Sequence, residues 1–229
     1  MKICITGQSG FIGKHVVKAA LAREHSVVDF LHQNPDALIH LAWDGLPNYE
    51  NVKHFNNLWW NLSFLHAAVN NRIRNITVTG TCLETVRFPP YYAIAKLAVR
   101  ARLFELLPTA KWARLWYLYG EGQREPCLLP SFKRAQQDNY ETFSVVDGAR
   151  DFIDVALVAY YLVLIAEQNS VNGIIDVCSG VAEPVKSFLE RQPGRKLKLV
   201  DNYPAQIYEP HSFHGDREKL ETIVNRAEQ

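Results

Sequence analysis

Apolar positions in this chain gather into short unbroken runs, and the stretches between them carry helical spacing. Lys2–Thr6 holds Ile3-Cys4-Ile5 and predicts a strand, and residues 11–23 predict a helix. The alternation continues with a strand at 37–42 (Ala-Leu-Ile-His-Leu-Ala), a helix at 55–70 and a strand at 76–79. A helix at 91–107 and a strand at 113–119 follow. Strands that are apolar almost throughout, set between helices, indicate a parallel sheet covered on both faces. Right-handed crossovers make such a sheet doubly wound, with its ligand at the carboxyl ends of the strands.

The second half is less regular. Residues 128–137 and 155–168 read as helices and 173–178 as a strand; an irregular tail follows, then a short helix from Arg217. The predicted class is α/β, a Rossmann-type dinucleotide-binding unit over 1–124. An interwoven, smaller substrate lobe over 125–229 contributes partly to the sheet. Between the first helix and the strand at Ala37 only residues 25–36 remain, where a full dinucleotide-binding half needs two strands and a helix. They suffice for one short strand at 25–28 and a single turn at 29–33. The adenosine side of the sheet is therefore expected to be shortened.

Composition narrows the class without naming it. The 229 residues are 48% apolar and 21% charged with a formal net charge of +1, ordinary for a globular protein and far from disorder. No single-sign run gives a reason to expect nucleic acid or an anionic membrane as partner. Cys4, Cys82, Cys127 and Cys178 are scattered without CxxC spacing and read as reduced thiols. The start enters a strand without a signal-peptide pattern, and the longest apolar run, 155–166, is too short to span a bilayer. The expected location is the cytoplasm.

The chemistry sits in three places. After the first strand comes Thr6-Gly7-Gln8-Ser9-Gly10-Phe11-Ile12-Gly13. Here Gly7 permits a tight turn, Gly10 lets backbone approach a pyrophosphate, and Gly13 lets helix and strand pack closely. An acidic residue about 20 positions on meets the adenosine ribose in such folds; Asp29 is the candidate, with a turn or cap residue as the other reading. Residues 25–42 contain no Lys or Arg to hold a 2′-phosphate, which favours NAD over NADP. Tyr92 and Lys96 are one helical turn apart on one face, so the ammonium can favour the phenolate of a tyrosine that otherwise titrates near pH 10. Val78-Thr79-Gly80-Thr81-Cys82-Leu83-Glu84 precedes that helix, with Thr81 and Tyr92 eleven positions apart.

In this order the motifs resemble the extended short-chain dehydrogenase/reductases, the NAD-dependent epimerase/dehydratase family of nucleotide-sugar enzymes. The resemblance implies catalysis by Thr81, Tyr92 and Lys96, with the Thr81–Tyr92 loop unusually short. It implies an NAD or NADP site built from Gly7, Gln8, Ser9, Gly10, Phe11, Ile12, Gly13 and Asp29. Leu41, Ala42, Trp43, Asn57 and Thr79 complete that site with Tyr92 and Lys96. Trp112 to Gln123 is similar to the family's substrate strand and loop, so Tyr117, Tyr119 and Gln123 are expected at the sugar beside Thr81. Arg150 is expected at the substrate diphosphate, with a surface ion pair to Asp151 or a neighbour as the alternative.

Residues 80–84, 112–123 and the tail around Tyr208-Glu209-Pro210 look most like 4-keto-6-deoxyhexose reductases of surface-polysaccharide pathways. A sugar-nucleotide epimerase with the same triad, or a weakly catalytic relative that binds nucleotide or sugar, remains open. A 4,6-dehydratase fits less well, because Cys82-Leu83 stand where that subfamily has Asp-Glu. The family also implies a homodimer through the helices at 55–70 and 91–107, with Trp59, Phe64, Leu97, Leu103 and Leu106 as the apolar bulk. His211 and His214 lack a third ligand, so no metal is expected.

Overall fold

Among the described residues, six strands form a wholly parallel central sheet. The computed structural model describes residues 1–201 and 209–229; Tyr208 and the rest of the tail segment 202–208 lie outside the described residues. In chain order the first half runs β1 (Lys2–Thr6), α1 (Phe11–Ala22), β2 (Ser26–Val28), β3 (Ala37–His40), α2 (Lys53–Asn70), β4 (Ile76–Thr81), α3 (Tyr91–Leu106), β5 (Lys111–Leu115) and β6 (Tyr117–Tyr119). There follow α4 (Leu128–Gln137), β7 (Thr142–Val145), β8 (Ala149–Arg150), β9 (Phe152–Asp154), α5 (Val155–Glu167), β10 (Gly173–Val177), β11 (Glu183–Pro184), α6 (Val185–Glu190), β12 (Lys198–Asp201), β13 (Ser212–Phe213) and α7 (Glu218–Ala227).

The central order is β10-β5-β4-β3-β1-β2. A full dinucleotide-binding half carries one more strand beyond β2; here β2 is the edge, so the shortening read from residues 25–36 is a missing strand. Successive side chains of a strand point to opposite faces, and the two faces are covered by different helices. Ile3, Ile5, Ile39, Ala113 and Val177 pack with Val16 of α1 and Val158 and Leu162 of α5. Cys4, Leu38, Val78 and Trp112 pack with Leu65 of α2 and Val99 and Leu103 of α3.

Several predicted strands end differently. The run 113–119 breaks at Trp116, which is buried against Phe213, while the Tyr117 amide turns to donate to the Asp151 carbonyl at 3.1 Å. Beyond the break, β6 leaves the central sheet and pairs with β9. The run 37–42 stops at His40, because the amides of Leu41 and Ala42 donate to the Thr6 hydroxyl instead of a neighbouring strand. Strand β4 runs longer than 76–79, reaching Thr81 in register with Leu115.

The smaller lobe comprises α4, α6 and short strand pairs around Leu129, Phe132, Val145, Val185 and Phe188. It is tied to the sheet by the fully buried carboxylate of Asp151, which accepts from the amides of Ser179, Gly180 and Gly215. Both α5 and β10, although within 125–229, belong to the central layer. Of the residues expected to supply apolar bulk for a dimer, Leu103 is fully buried in the core and only Trp59 is well exposed. The uncovered apolar face of α2 and α3 consists instead of Phe55, Trp59, Trp60, Tyr91 and Ile94. No helix among the described residues is long and apolar enough to cross a membrane.

Candidate active site

The glycine turn lies at the carboxyl end of β1 and opens α1. Gly7 sits at φ +74°, and a Cβ there would lie 3.0 Å from the Ala42 amide; a Cβ on Gly13 would lie 2.0 Å from the Gly7 carbonyl oxygen. Turn, helix and the Leu41–Ala42 segment are thus packed as closely as backbone allows. Gly10 is the N-cap of α1 and no side chain caps that end, so the helix presents its first amides and its positive pole to an anion. Asp29 follows β2 on the same edge, and the Gln8 side-chain amide donates to its carboxylate at 2.6 Å.

Thr81 ends β4, and Tyr92 and Lys96 lie on the first turns of α3. The turn after Thr81 and the start of α3 share one buried cluster containing Cys82, Leu83, Tyr92 and Ala93. Tyr92 is 8% exposed and Lys96 only 3%. The Lys96 ammonium donates to the Thr79 carbonyl at 2.7 Å, lies 4.1 Å from the centre of the Trp43 indole, and is 5.9 Å from that of the Tyr92 ring. Thr79 serves through this carbonyl, while its hydroxyl donates to the His40 carbonyl.

Aromatic rings surround Tyr92. Trp43 meets it edge-on at 5.5 Å, Tyr49 stacks on it at 5.7 Å, and His54 lies at 5.3 Å. His54 is fully buried, accepting at Nδ1 from the Trp43 indole N–H and donating from Nε2 to the Asn48 carbonyl. Beneath them the Thr6 hydroxyl accepts from the Leu41 and Ala42 amides, so its own proton points to His40 Nδ1 at 2.6 Å. His40 then donates from Nε2 to Asn61 Oδ1. The Asn57 amide is engaged on both sides by the backbone of Asp44, so it fixes the loop after Trp43.

Burial dominates the electrostatics. It lowers the Lys96 ammonium to about 7, with the Glu84 carboxylate working in the opposite direction. It pushes the Tyr92 phenol well above its ordinary value, and Tyr49, Glu84 and Cys82 add to the effect. The expected pull of Lys96 toward the phenolate is thus outweighed here, and Tyr92 is held as a protonated acid.

The predicted substrate residues divide. The Gly120–Gln123 loop returns to α1, where His15 Nε2 donates to the Glu121 carbonyl at 2.8 Å. Gln123 donates to the Leu118 carbonyl, and its side-chain oxygen is buried without a partner among the described residues. Tyr119 packs edge-on against Phe188. Tyr117 lies under the Arg150 guanidinium at 5.8 Å. Arg150 itself is 4% exposed, bonded at 2.8 Å to Glu209 and to the Ala149, Pro210 and His211 carbonyls. Its fork is turned inward in an ion pair with Glu209 that is buried, not the surface pair expected as the alternative.

Three contributors were not singled out by sequence reasoning. Tyr49 and His54 reach the triad only through the fold, and nothing local marks them. Glu84 does have a local signal, the capping-box spacing of Thr81-x-x-Glu84, and the box forms.

No family model matches the chain. It is 25% identical to dTDP-6-deoxy-L-talose 4-dehydrogenase (NAD(+)) of Aggregatibacter actinomycetemcomitans, over 94% of this chain and 99% of that protein. It is 23% identical to GDP-6-deoxy-D-mannose reductase of Pseudomonas aeruginosa, over 82% of this chain and 78% of that one. A Pseudomonas aeruginosa enzyme solved with NADPH shares the fold with a TM-score of 0.79 at 20% identity, over 97% of this chain and 92% of that one. In motif order and fold the chain is thus similar to NAD-dependent epimerase/dehydratase-type sugar-nucleotide enzymes, the group to which these relatives and structural neighbours belong.

Proposed function

We propose that the chain is an NAD(P)-dependent reductase of a nucleotide-activated 4-keto-6-deoxy sugar. The observation that supports this reading is that Thr81 ends β4 and Tyr92 and Lys96 open α3, with the turn after Thr81 and Tyr92 sharing one buried cluster and the uncapped α1 terminus on the same edge of the sheet. Both curated relatives are named for oxidation or reduction of a nucleotide-linked 6-deoxy sugar, which supports the substrate class.

The glycine turn suits the cofactor's pyrophosphate, and Asp29 suits the adenosine ribose. A carboxylate there repels a 2′-phosphate, which favours NAD. The bound nicotinamide supplies the hydride. Tyr92, held protonated by its surroundings, gives its proton to the developing alkoxide oxygen. The Thr81 hydroxyl accepts from the Leu83 amide at 3.4 Å, leaving its own proton for the substrate carbonyl. Lys96 binds the nicotinamide ribose and holds positive charge beside Tyr92. Tyr117, Tyr119 and Gln123 are assigned to the sugar side, where the acceptor of Gln123, unpartnered among the described residues, suits a sugar hydroxyl. With Arg150 turned inward, the diphosphate must find other partners.

The test is a panel of dTDP-, GDP- and UDP-linked 4-keto-6-deoxyhexoses with NADH or NADPH. Net cofactor oxidation is expected with at least one. Interconversion without net oxidation replaces the reductase by an epimerase, and silence with cofactor bound leaves a binding protein.

A further inference from the structure

Glu84 is a buried carboxylate that the reaction above does not use. Its side chain has no exposure, yet Arg100 Nη1 reaches it at 2.7 Å, the Trp112 indole N–H meets both oxygens at 3.0 Å, and the Thr81 amide donates to Oε1 at 2.8 Å. Burial raises the Glu84 pKa, and the Thr81 amide, Arg100 and Trp112 work against it; because every neighbour is a donor aimed at the carboxylate and one carries a full positive charge, the ionised form is the one that fits. Three elements converge on it: the end of β4, β5 through Trp112, and α3 through Arg100. The convergence is tight enough to dictate the preceding residue. A Cβ on Gly80 would lie 2.1 Å from Trp112 Nε1 and 2.5 Å from Glu84 Oε1.

Resting on the reductase reading, we propose that Glu84 is a positioning residue, whose carboxylate fixes the Thr81 backbone and supplies the negative charge against which Lys96 stays an ammonium. Thr81 is held twice, its amide by Glu84 and its hydroxyl by the Leu83 amide, so the direction of its free proton is set by the turn Glu84 closes. Lys96 is desolvated, and burial alone drives it toward neutrality. The groups around it are Tyr92 and Arg100 on its own helix, Glu84 from the turn after β4, His40 from β3, and Tyr49 and His54 beyond Tyr92. Of these, Glu84 is the carboxylate. A neutral lysine would bring no charge to the tyrosine and could not hold a ribose hydroxyl as a cation.

The experiment follows Lys96 directly, by NMR of side-chain-labelled lysine through a pH titration, in the full chain and in Glu84→Gln and Arg100→Gln. This readout needs no turnover, so failure of the sugar panel and failure of this proposal are separate results. The wild-type midpoint is expected near 7; Glu84→Gln, which removes the negative charge, should move it down. Arg100→Gln removes a positive charge and should move it up while leaving the Thr81–Glu84 bond in place. Where turnover is measurable, Glu84→Gln should lower kcat by roughly 10- to 100-fold, because small displacements of a positioning group cost about that much. The basic limb of its pH profile should shift with the lysine. Unchanged midpoints in both variants overturn the proposal, as do shifts of the same sign. If Glu84→Gln does not fold, Arg100→Gln alone decides: an upward midpoint supports it, and a fixed or lowered one refutes it.

Discussion

The Lys96 ammonium rests 4.1 Å from the centre of the Trp43 indole, and that indole is held in place by its N–H bond to His54. A cation at this distance from an indole face is attracted by the ring. A ribose hydroxyl that approaches Lys96 must therefore replace or displace the indole. Binding of NADH or NADPH is expected to change the fluorescence of Trp43, and Trp43→Phe should remove most of that change while the other four tryptophans remain. A titration signal of equal size in Trp43→Phe would show that the indole does not move with the cofactor.

Tyr92→Phe should abolish turnover and leave cofactor affinity nearly intact. The ring stays packed between Trp43, Tyr49 and His54, and only the acid is lost, which typically costs about 10²- to 10⁴-fold. Full activity in this variant would refute the assignment of the proton donor.

His40 makes stability depend on pH. Burial lowers its imidazole to about 4, below the unfolded value of about 6.5. Between those values the unfolded chain binds the proton and the folded chain does not, so this contribution is present above about pH 6.5 and lost as pH falls toward 4. It amounts to something on the order of 3 kcal/mol. Denaturant titrations of the wild type and of His40→Gln across this window isolate it as a difference. The difference should shrink as the solution is acidified, and a difference that stays constant would exclude a neutral buried His40.

An exposed aromatic face points to self-association. Trp59 is 69% exposed and Trp60 53%, with Phe55, Tyr91 and Ile94 on the same helix pair. Contiguous apolar surface of this kind marks an interface, and closed dimers are the commonest solution. Light scattering at micromolar concentration is expected to give a dimer, with Trp59→Glu shifting it to monomer. A monomeric wild type would leave the face unexplained.

Much of this was legible because local rules and tertiary demands agree. The glycine turn, the i, i+4 pair of Tyr92 and Lys96, and the shortage of chain between α1 and β3 each rest on spacing, and the fold respects spacing. What escaped was set by partners far away in sequence. Residues 113–119 have the composition of one strand, but Trp116 finds Phe213 and Tyr117 finds Asp151, and no local pattern announces either. The inward turn of Arg150 depends on Glu209, fifty-nine positions on, and the ring of Tyr49 and His54 about Tyr92 exists only once α2 has docked. Spacing shows that a tyrosine has a lysine nearby; it does not show that burial will outweigh it.

The late position of α5 and β10 in the chain governs how the molecule comes into being. A chain growing from its N-terminus completes β1 to β5 with one sheet face bearing Ile3, Ile5, Ile39 and Ala113 under α1 alone. Its remaining cover is synthesised only later, with α5 and then with Leu220 and Ile223 of α7. Domains made this way fold as units once their last essential piece has emerged, and until then the bare apolar surface is open to wrong partners. The nascent chain thus carries its glycine turn, and later Thr81, Tyr92 and Lys96, on a half-covered sheet until Val158 and Leu162 close over that face.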